Sequence, residues 1–219
     1  MLVREGETLN TIGGGRLEQM AIERAREALR EGAGGTLDVP LGPEIAQCCG
    51  GRVGLAISLD PSAAIERERQ ERDAQPHALV FGHGHVGTAL LHALDALPLQ
   101  ARAIETRPEH GGEGVTVTPL PEQVIDAAPP GAAFVVMTHD HGLDYLLVDR
   151  ALARGDAAYI GLIGSATKRA TFAARMRREG HPPERFERVT CPIAADAPAD
   201  KRPEVIALFA AAEVAGALL

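Results

Sequence analysis

Apolar positions in the first sixty residues show the period of one helix and, after it, of strands. Leu17, Met20, Ala21, Ala25, Ala28 and Leu29 recur at helical spacing, and Gly32, Gly34 and Gly35 end the pattern. This predicts one amphipathic helix over roughly 16–31. Short extended stretches follow at 36–39 and 53–59, and Met1-Leu2-Val3 has the look of another strand. Residues 1–60 are therefore predicted to form a small α+β module. Over 61–76 the character changes: Pro61 leads into the mixed-charge run Ile65 to Asp73, which Gln75-Pro76 stops, so a linker helix with solvated faces is expected.

From residue 77 the two periods alternate. Short apolar runs at Ala78–Phe81, Ala101–Glu105, Val115–Thr118, Ala132–Met137 and Ala157–Ile163 are predicted strands. Between and after them, His85–Leu97, Pro121–Ala128, Leu143–Arg154, Ala166–Glu179 and Pro203–Leu219 have helical spacing. Alternation of this kind places a parallel sheet under two helical layers. The fold class expected is α/β: the N-terminal module over 1–60, a linker helix over 61–76, and a Rossmann-like doubly wound sheet over 77–219. The apolar positions of the last helix read as core, with a homodimer contact as the alternative.

Composition narrows the function classes. The chain of 219 residues has a net charge of −8, against a broad electrostatic grip on nucleic acid or an anionic membrane. Aromatic residues make up 3% with no Trp, so platforms for stacking bases are missing. No apolar run approaches the ~20 residues of a membrane span, and the polar start Met1-Leu-Val-Arg-Glu-Gly6 does not suit a signal peptide, so a cytoplasmic protein is expected. Three cysteines, two of them adjacent, do not make a disulfide scaffold.

The candidate chemistry lies in turns. Gly82-His-Gly84-His85-Val-Gly87 stands between a buried strand and a helix, where backbone N–H groups approach a phosphate. Glu105, at the end of the next strand, suits a ribose or another polyol. A second turn ends in Gly164-Ser165-Ala-Thr-Lys168-Arg169: its helix start offers N–H donors, and Lys168 with Arg169 adds positive charge, either as an anion cradle or as a capped helix with basic residues. A third, Thr138-His139-Asp140-His141, offers imidazoles for metal ligation or proton transfer; alternatively Asp140 or Asp144 caps the next helix. All three follow strands and are expected at one sheet edge. In the first module, Gly13-Gly14-Gly15 opens the helix, and Cys48-Cys49-Gly-Gly-Arg52 presents thiols for nucleophilic attack, soft-metal ligation or sulfur transfer, or as a buried small pair. Cys191-Pro192 reads as structural.

Taken together, Thr11-Ile-Gly-Gly-Gly-Arg-Leu-Glu18, Gln47-Cys-Cys-Gly-Gly51, Phe81-Gly-His-Gly-His-Val-Gly87, Thr138-His-Asp-His141, Gly161-Leu-Ile-Gly-Ser165 with Lys168-Arg169, Cys191-Pro-Ile193 and Pro203-Glu-Val-Ile-Ala207 resemble the xanthine dehydrogenase accessory proteins of the XdhC/CoxI type. The resemblance implies a chaperone that binds the molybdopterin form of molybdenum cofactor, protects it, supports its sulfuration and inserts it into xanthine dehydrogenase. It implies a cysteine desulfurase as sulfur source and molybdenum cofactor biosynthesis proteins as further partners. It places Cys49, with Cys48 as substitute, as the thiol near molybdenum. The cofactor-binding candidates are then the Gly13–Gly15 and Gly82–Gly87 turns, the Thr138–His141 loop, and Gly164, Ser165 and Lys168, with Glu105 added from its place after the next strand. Family members usually carry a Gly-, Ser- and Pro-rich segment before the Met-Leu-Val stretch; either the start is called late here or this is a shortened form, and in the second case the first module is expected to lack a strand. Ala194 stands where a glycine often follows Cys-Pro-Ile. The competing readings are an NAD(P)-dependent oxidoreductase using the Gly82–Gly87 turn, with His139 or His141 as acid or base, and a noncatalytic scaffold.

Overall fold

A computed structural model describes residues 1–42 and 50–219. The chain divides into two compact units, Met1–Gln70 and Glu71–Leu219. In the first, β1 (Leu2–Val3) pairs antiparallel with β2 (Thr8–Leu9). β2 gives β1 one partner within the chain, and Thr8–Leu9 is too short for a periodic signal. Next comes α1 (Gly15–Glu31), which buries Ala21 and Ala28 and ends on Gly32 in the left-handed region, where a Cβ would be strained. β3 (Gly35–Pro40) and β4 (Arg52–Ile57) pair antiparallel from Gly35 opposite Ile57 to Pro40 opposite Arg52. The helix α2 (Ser62–Asp73) buries no residue, as its charge pattern implies, and the division between the units falls within it.

The second unit opens with β5 (His77–Phe81), α3 (His85–Asp95), β6 (Gln100–Glu105), β7 (Val115–Val117) and α4 (Pro121–Ala127). β8 (Ala133–Val136), α5 (His141–Arg154), β9 (Tyr159–Leu162), α6 (Ala166–Arg178), a short α7 (Pro183–Glu187) and α8 (Pro203–Leu218) complete it. The five strands are parallel in the order β7-β6-β5-β8-β9, the arrangement of a Rossmann-like doubly wound sheet. Alternating side chains divide between its faces. Leu79, Phe81, Phe134 and Val136 point to a layer that includes Ile125, Leu147, Phe172 and Met176, from α4, α5 and α6. Ala78, Val80, Ala133 and Val135 point to Leu90, Leu94, Ala207 and Ala211, from α3 and α8. Small residues on that second face let α8 lie close to α3, so its apolar stripe belongs to the core. Each large aliphatic side chain buried here contributes roughly 2–3 kcal/mol.

An extended segment covers the free edge of β9. Thr190 N donates to Ile160 O (2.9 Å), Leu162 N to Thr190 O (2.9 Å) and Ile193 N to Leu162 O (3.1 Å). The segment carries a cis Cys191–Pro192 bond and a buried Cys191 whose thiol is pushed up by burial, matching its structural reading. It turns at Ala194, whose φ of 56° lies in the left-handed region and whose N–H donates to Glu213 Oε1 (2.8 Å). An L side chain there costs about 1–2 kcal/mol, part of which glycine would give back as unfolded-state entropy. Losing its buried methyl costs a further ~0.8 kcal/mol, so Ala194→Gly is expected to leave the thermal midpoint within about 3 °C of the parent, strain relief offsetting the two losses. A larger fall would show that the strain relieved is smaller than the packing and entropy lost.

Candidate functional site at the carboxyl edge of the sheet

The loops after β5, β8 and β9 share the carboxyl edge of the sheet, and the chain changes direction between β5 and β8. Ligands of open α/β sheets bind in the crevice at such a switch point. The backbones come close there. A Cβ on Gly82, whose φ is +110°, would stand 2.5 Å from Met137 O, and one on Gly87 would stand 2.2 Å from Gly82 O. Glycine is required at both positions. Gly84 differs: its φ is −79°, it is exposed, and nothing lies within 4 Å of where its Cβ would be. The space above it is open.

The helices that follow β5, β8 and β9 are finished differently. Asp140 caps α5, accepting from Gly142 N (2.6 Å) and Leu143 N (3.0 Å). Those two amides, helped by His139 and His141, hold its carboxyl below the usual aspartate range. Ser165 caps α6 and accepts from Lys168 N (3.2 Å). α3 starts at Gly84 with no side-chain cap. The first N–H groups of a helix have no intrahelical partner, so α3 presents them to whatever anion arrives.

Glu105 organises the ground beside that helix start. It is 4% exposed and accepts from His83 N (3.2 Å), Thr106 N (2.8 Å) and Arg107 N (3.1 Å). Burial pushes its carboxyl up, but the three backbone amides and the Arg107 charge outweigh this and hold it below the usual glutamate value. A carboxylate has about four acceptor positions, and most are taken by the chain's own amides. Its side chain thus fastens the Gly82 turn to the end of β6 and does not stand free for a ribose or polyol, as the sequence reading expected. Arg107 Nη2 donates to His110 Nδ1 (2.8 Å), and His83 Nδ1 lies 3.1 Å from His110 O. These contacts join the His83 turn to the Arg107–His110 segment. Neither Arg107 nor His110 was singled out in the sequence, although both lie within five residues of Glu105.

Lys168 corrects another expectation. Its ammonium does not stand free for an anion: Nζ donates to Asp144 Oδ2 (2.6 Å) and Ile163 O (2.9 Å), and the side chain is 12% exposed. Asp144, 1% exposed, also accepts from Thr138 N (3.0 Å) and Thr138 Oγ1 (2.7 Å). One buried ion pair therefore ties the β8–α5 loop to the β9–α6 loop. Arg169 likewise donates inward, to Val189 O (2.9 Å) and Cys191 O (3.2 Å). Gly164 makes room for the Lys168 side chain, which a Cβ there would meet at 2.8 Å. The sequence offers Asp144 only as a helix cap; its place in the first turn of α5 is the signal that bears on its buried role.

The remaining candidates divide. His85, His139 and His141 are exposed on the same edge, and no group of three or more potential metal ligands occurs among the described residues. The Gly13–Gly15 turn, described within its own unit, satisfies much of itself. Glu18 accepts from the Thr11 hydroxyl, Ile12 N (3.0 Å) and Gly14 N (3.2 Å), while Gly13 N donates to Thr11 Oγ1 (3.0 Å). Cys48 and Cys49 lie outside the described residues.

Two predictions follow from the buried carboxylates. Lys168→Met leaves Asp144 without its counter-charge and is expected to cost about 3 kcal/mol, lowering the thermal midpoint by roughly 6–12 °C. A change within a degree would remove the pair as a structural tie. Glu105 holds its carboxyl below the ordinary value of 4.5, so its contribution to stability is complete above that pH and is lost as acid protonates the folded state. In denaturant titrations from pH 6 down to 3, Glu105→Gln is expected to be less stable than the parent at pH 6 and to show a shallower fall. Parallel curves would contradict this.

Comparison with known proteins agrees with this architecture. The family model of the XdhC Rossmann domain matches residues 78–214, and that of the XdhC and CoxI family matches residues 1–40. The chain is 24% identical over 228 aligned positions to the uncharacterized protein YqeB of Escherichia coli (strain K12), an alignment covering 98% of this chain and 39% of that protein. It thus spans about two-fifths of that curated relative's length. A crystal structure described as a xanthine dehydrogenase from Bacillus halodurans superposes with a TM-score of 0.69 at 14% identity, covering 98% of this chain and 84% of that one, a likeness of fold. No helix among the described residues is long and apolar enough to cross a membrane. With the Rossmann unit and the N-terminal segment both matched, the chain belongs to the XdhC and CoxI family.

Proposed function

We propose that this chain is an accessory protein of xanthine dehydrogenase that binds the molybdopterin form of molybdenum cofactor by its phosphate, protects it during sulfuration and inserts it into the dehydrogenase. Family membership supports the accessory role toward xanthine dehydrogenase. The uncapped start of α3 at the switch point is the observation that carries the phosphate assignment. Gly84, His85, Val86 and Gly87 would hold the phosphate through backbone N–H groups, and Arg107 adds a positive charge near the same turn. The competing oxidoreductase reading needs a free acid after β6 to hold a ribose, and Glu105 is taken up by backbone amides.

When bound, the cofactor would supply a molybdenum centre carried on the sulfur atoms of its pterin. The chain's own residues position it: the glycine turn admits the phosphate, and the Lys168–Asp144 tie fixes the two neighbouring loops that carry His139, His141 and Ser165. Cys49, with Cys48 as its substitute, is the thiol this reading assigns to the metal end. A cysteine desulfurase supplies the sulfur, and molybdenum cofactor biosynthesis proteins supply the cofactor.

A single substitution separates ligand binding from folding. Gly84→Asp gives α3 the kind of cap that α5 already has, in open space and at a compatible φ. It is expected to leave stability unchanged or raise it by about 1 kcal/mol while weakening cofactor retention by about tenfold or more. Metal analysis and pterin fluorescence of protein from a molybdenum-replete host provide the measurement. Near-stoichiometric molybdenum and pterin in the parent, lost in Gly84→Asp, is the expected result. Equal retention in both proteins would overturn the phosphate assignment, and equal retention and sulfuration in Cys49→Ala would remove the thiol role.

A further inference from the structure

Positive charge is concentrated in one part of this acidic chain. Between residues 166 and 188, seven Lys and Arg stand against three Glu, while the whole sequence carries −8. Most of those cations are committed. Lys168 pairs with Asp144, Arg175 with Glu179 and Arg185 with Asp149, while Arg188 donates to Gly155 O. Arg177 is exposed and has no such partner among the described residues.

Arg177 borders a cavity of about 190 Å³ between α6 and the segment carrying α7. Buried Met176 and Phe186, with half-buried Ala173, give it an apolar floor. Arg169 and His181 share its border with Arg177, and Glu187 is the single carboxylate there. Behind His181, Arg185 Nη1 reaches its Nδ1 at 3.0 Å, while Arg185 Nε is buried without an acceptor. Asp149 faces both Arg185 (2.7 Å) and His181 (3.7 Å), so the uncompensated positive charge at the cleft is that of exposed Arg177.

The geometry points to this cleft as a docking site for an acidic peptide segment of a partner protein. One apolar side chain of that segment sits on Met176 and Phe186, and a flanking Asp or Glu carboxylate meets exposed Arg177. The cavity is smaller than the ~300–1,000 Å³ of typical cofactor pockets but admits a side chain. An apolar floor with cations at its mouth matches an apolar anchor between acids rather than a bare anion, which would be desolvated against Phe186 and Met176. The proposal does not rest on the cofactor assignment at the start of α3.

Panning a random dodecapeptide library on the full-length chain tests the proposal. Enriched peptides are expected to share an apolar residue flanked by Asp or Glu. Synthetic copies followed by fluorescence anisotropy are expected to bind about tenfold more weakly to Arg177→Glu, to weaken in salt and to be displaced from Ala173→Gln, whose added side chain enters the floor. Arg177 is exposed, so the first variant leaves the fold unchanged, as its thermal midpoint will show. No enrichment, enriched peptides without acidic residues, or equal binding to both variants and the parent would overturn the proposal. Full competition by millimolar inorganic phosphate would reduce the cleft to an anion site and overturn it as well.

Discussion

The carbonyl oxygen of Met137 occupies the place where a β-carbon on residue 82 would have to go. That close approach of the β5 and β8 loops constrains everything at the carboxyl edge. It obliges residue 82 to be glycine at positive φ and aims the next residues at the open end of the sheet. Gly87 lets α3 return against the same turn. The result is a helix start set into the crevice where the sheet changes direction. Without the two glycines the backbone would have to separate, and the N–H groups would no longer share one small volume.

Around that turn the protein assigns its polar groups unevenly. Asp140 and Ser165 finish their own helices, Glu105 collects three backbone amides, and Lys168 and Asp144 neutralise each other while tying two loops together. These groups fix the loops and consume the charges nearby. What they leave open is the start of α3. A rigid surround with an uncapped helix end at the switch point favours an anionic group held by backbone dipoles, an interaction that tolerates a large body extending into solvent. A phosphate-tailed metallopterin has that shape.

The alternation of strand and helix was legible because both faces of the parallel sheet are covered, which leaves short continuous apolar runs such as Ala78–Phe81 and Ala133–Val136 between helical patterns. The glycine turn was legible because its spacing reflects local steric demands. Contacts across the sequence were not. Asp144 and Lys168 are separated by 24 positions, and nothing local announces that a lysine in a basic helix turn will fold inward onto an aspartate. The same holds for Glu105, whose acid character suggested a ligand while its backbone partners come from two different loops. Short elements escaped for another reason: α7 and β2 are too brief for periodicity to register. The apolar C-terminal helix was correctly taken as core, since small residues at its buried positions bring it close to α3.

A titration of the isotopically labelled chain with inorganic phosphate, followed by amide nitrogen–proton spectra, addresses the central claim most directly. The account predicts saturable shifts at the amides of Gly84, His85, Val86 and Gly87, with those of Gly142, Leu143 and Lys168 unmoved because their helix ends are already capped. Shifts at the starts of α5 and α6, or none at the start of α3, would contradict it.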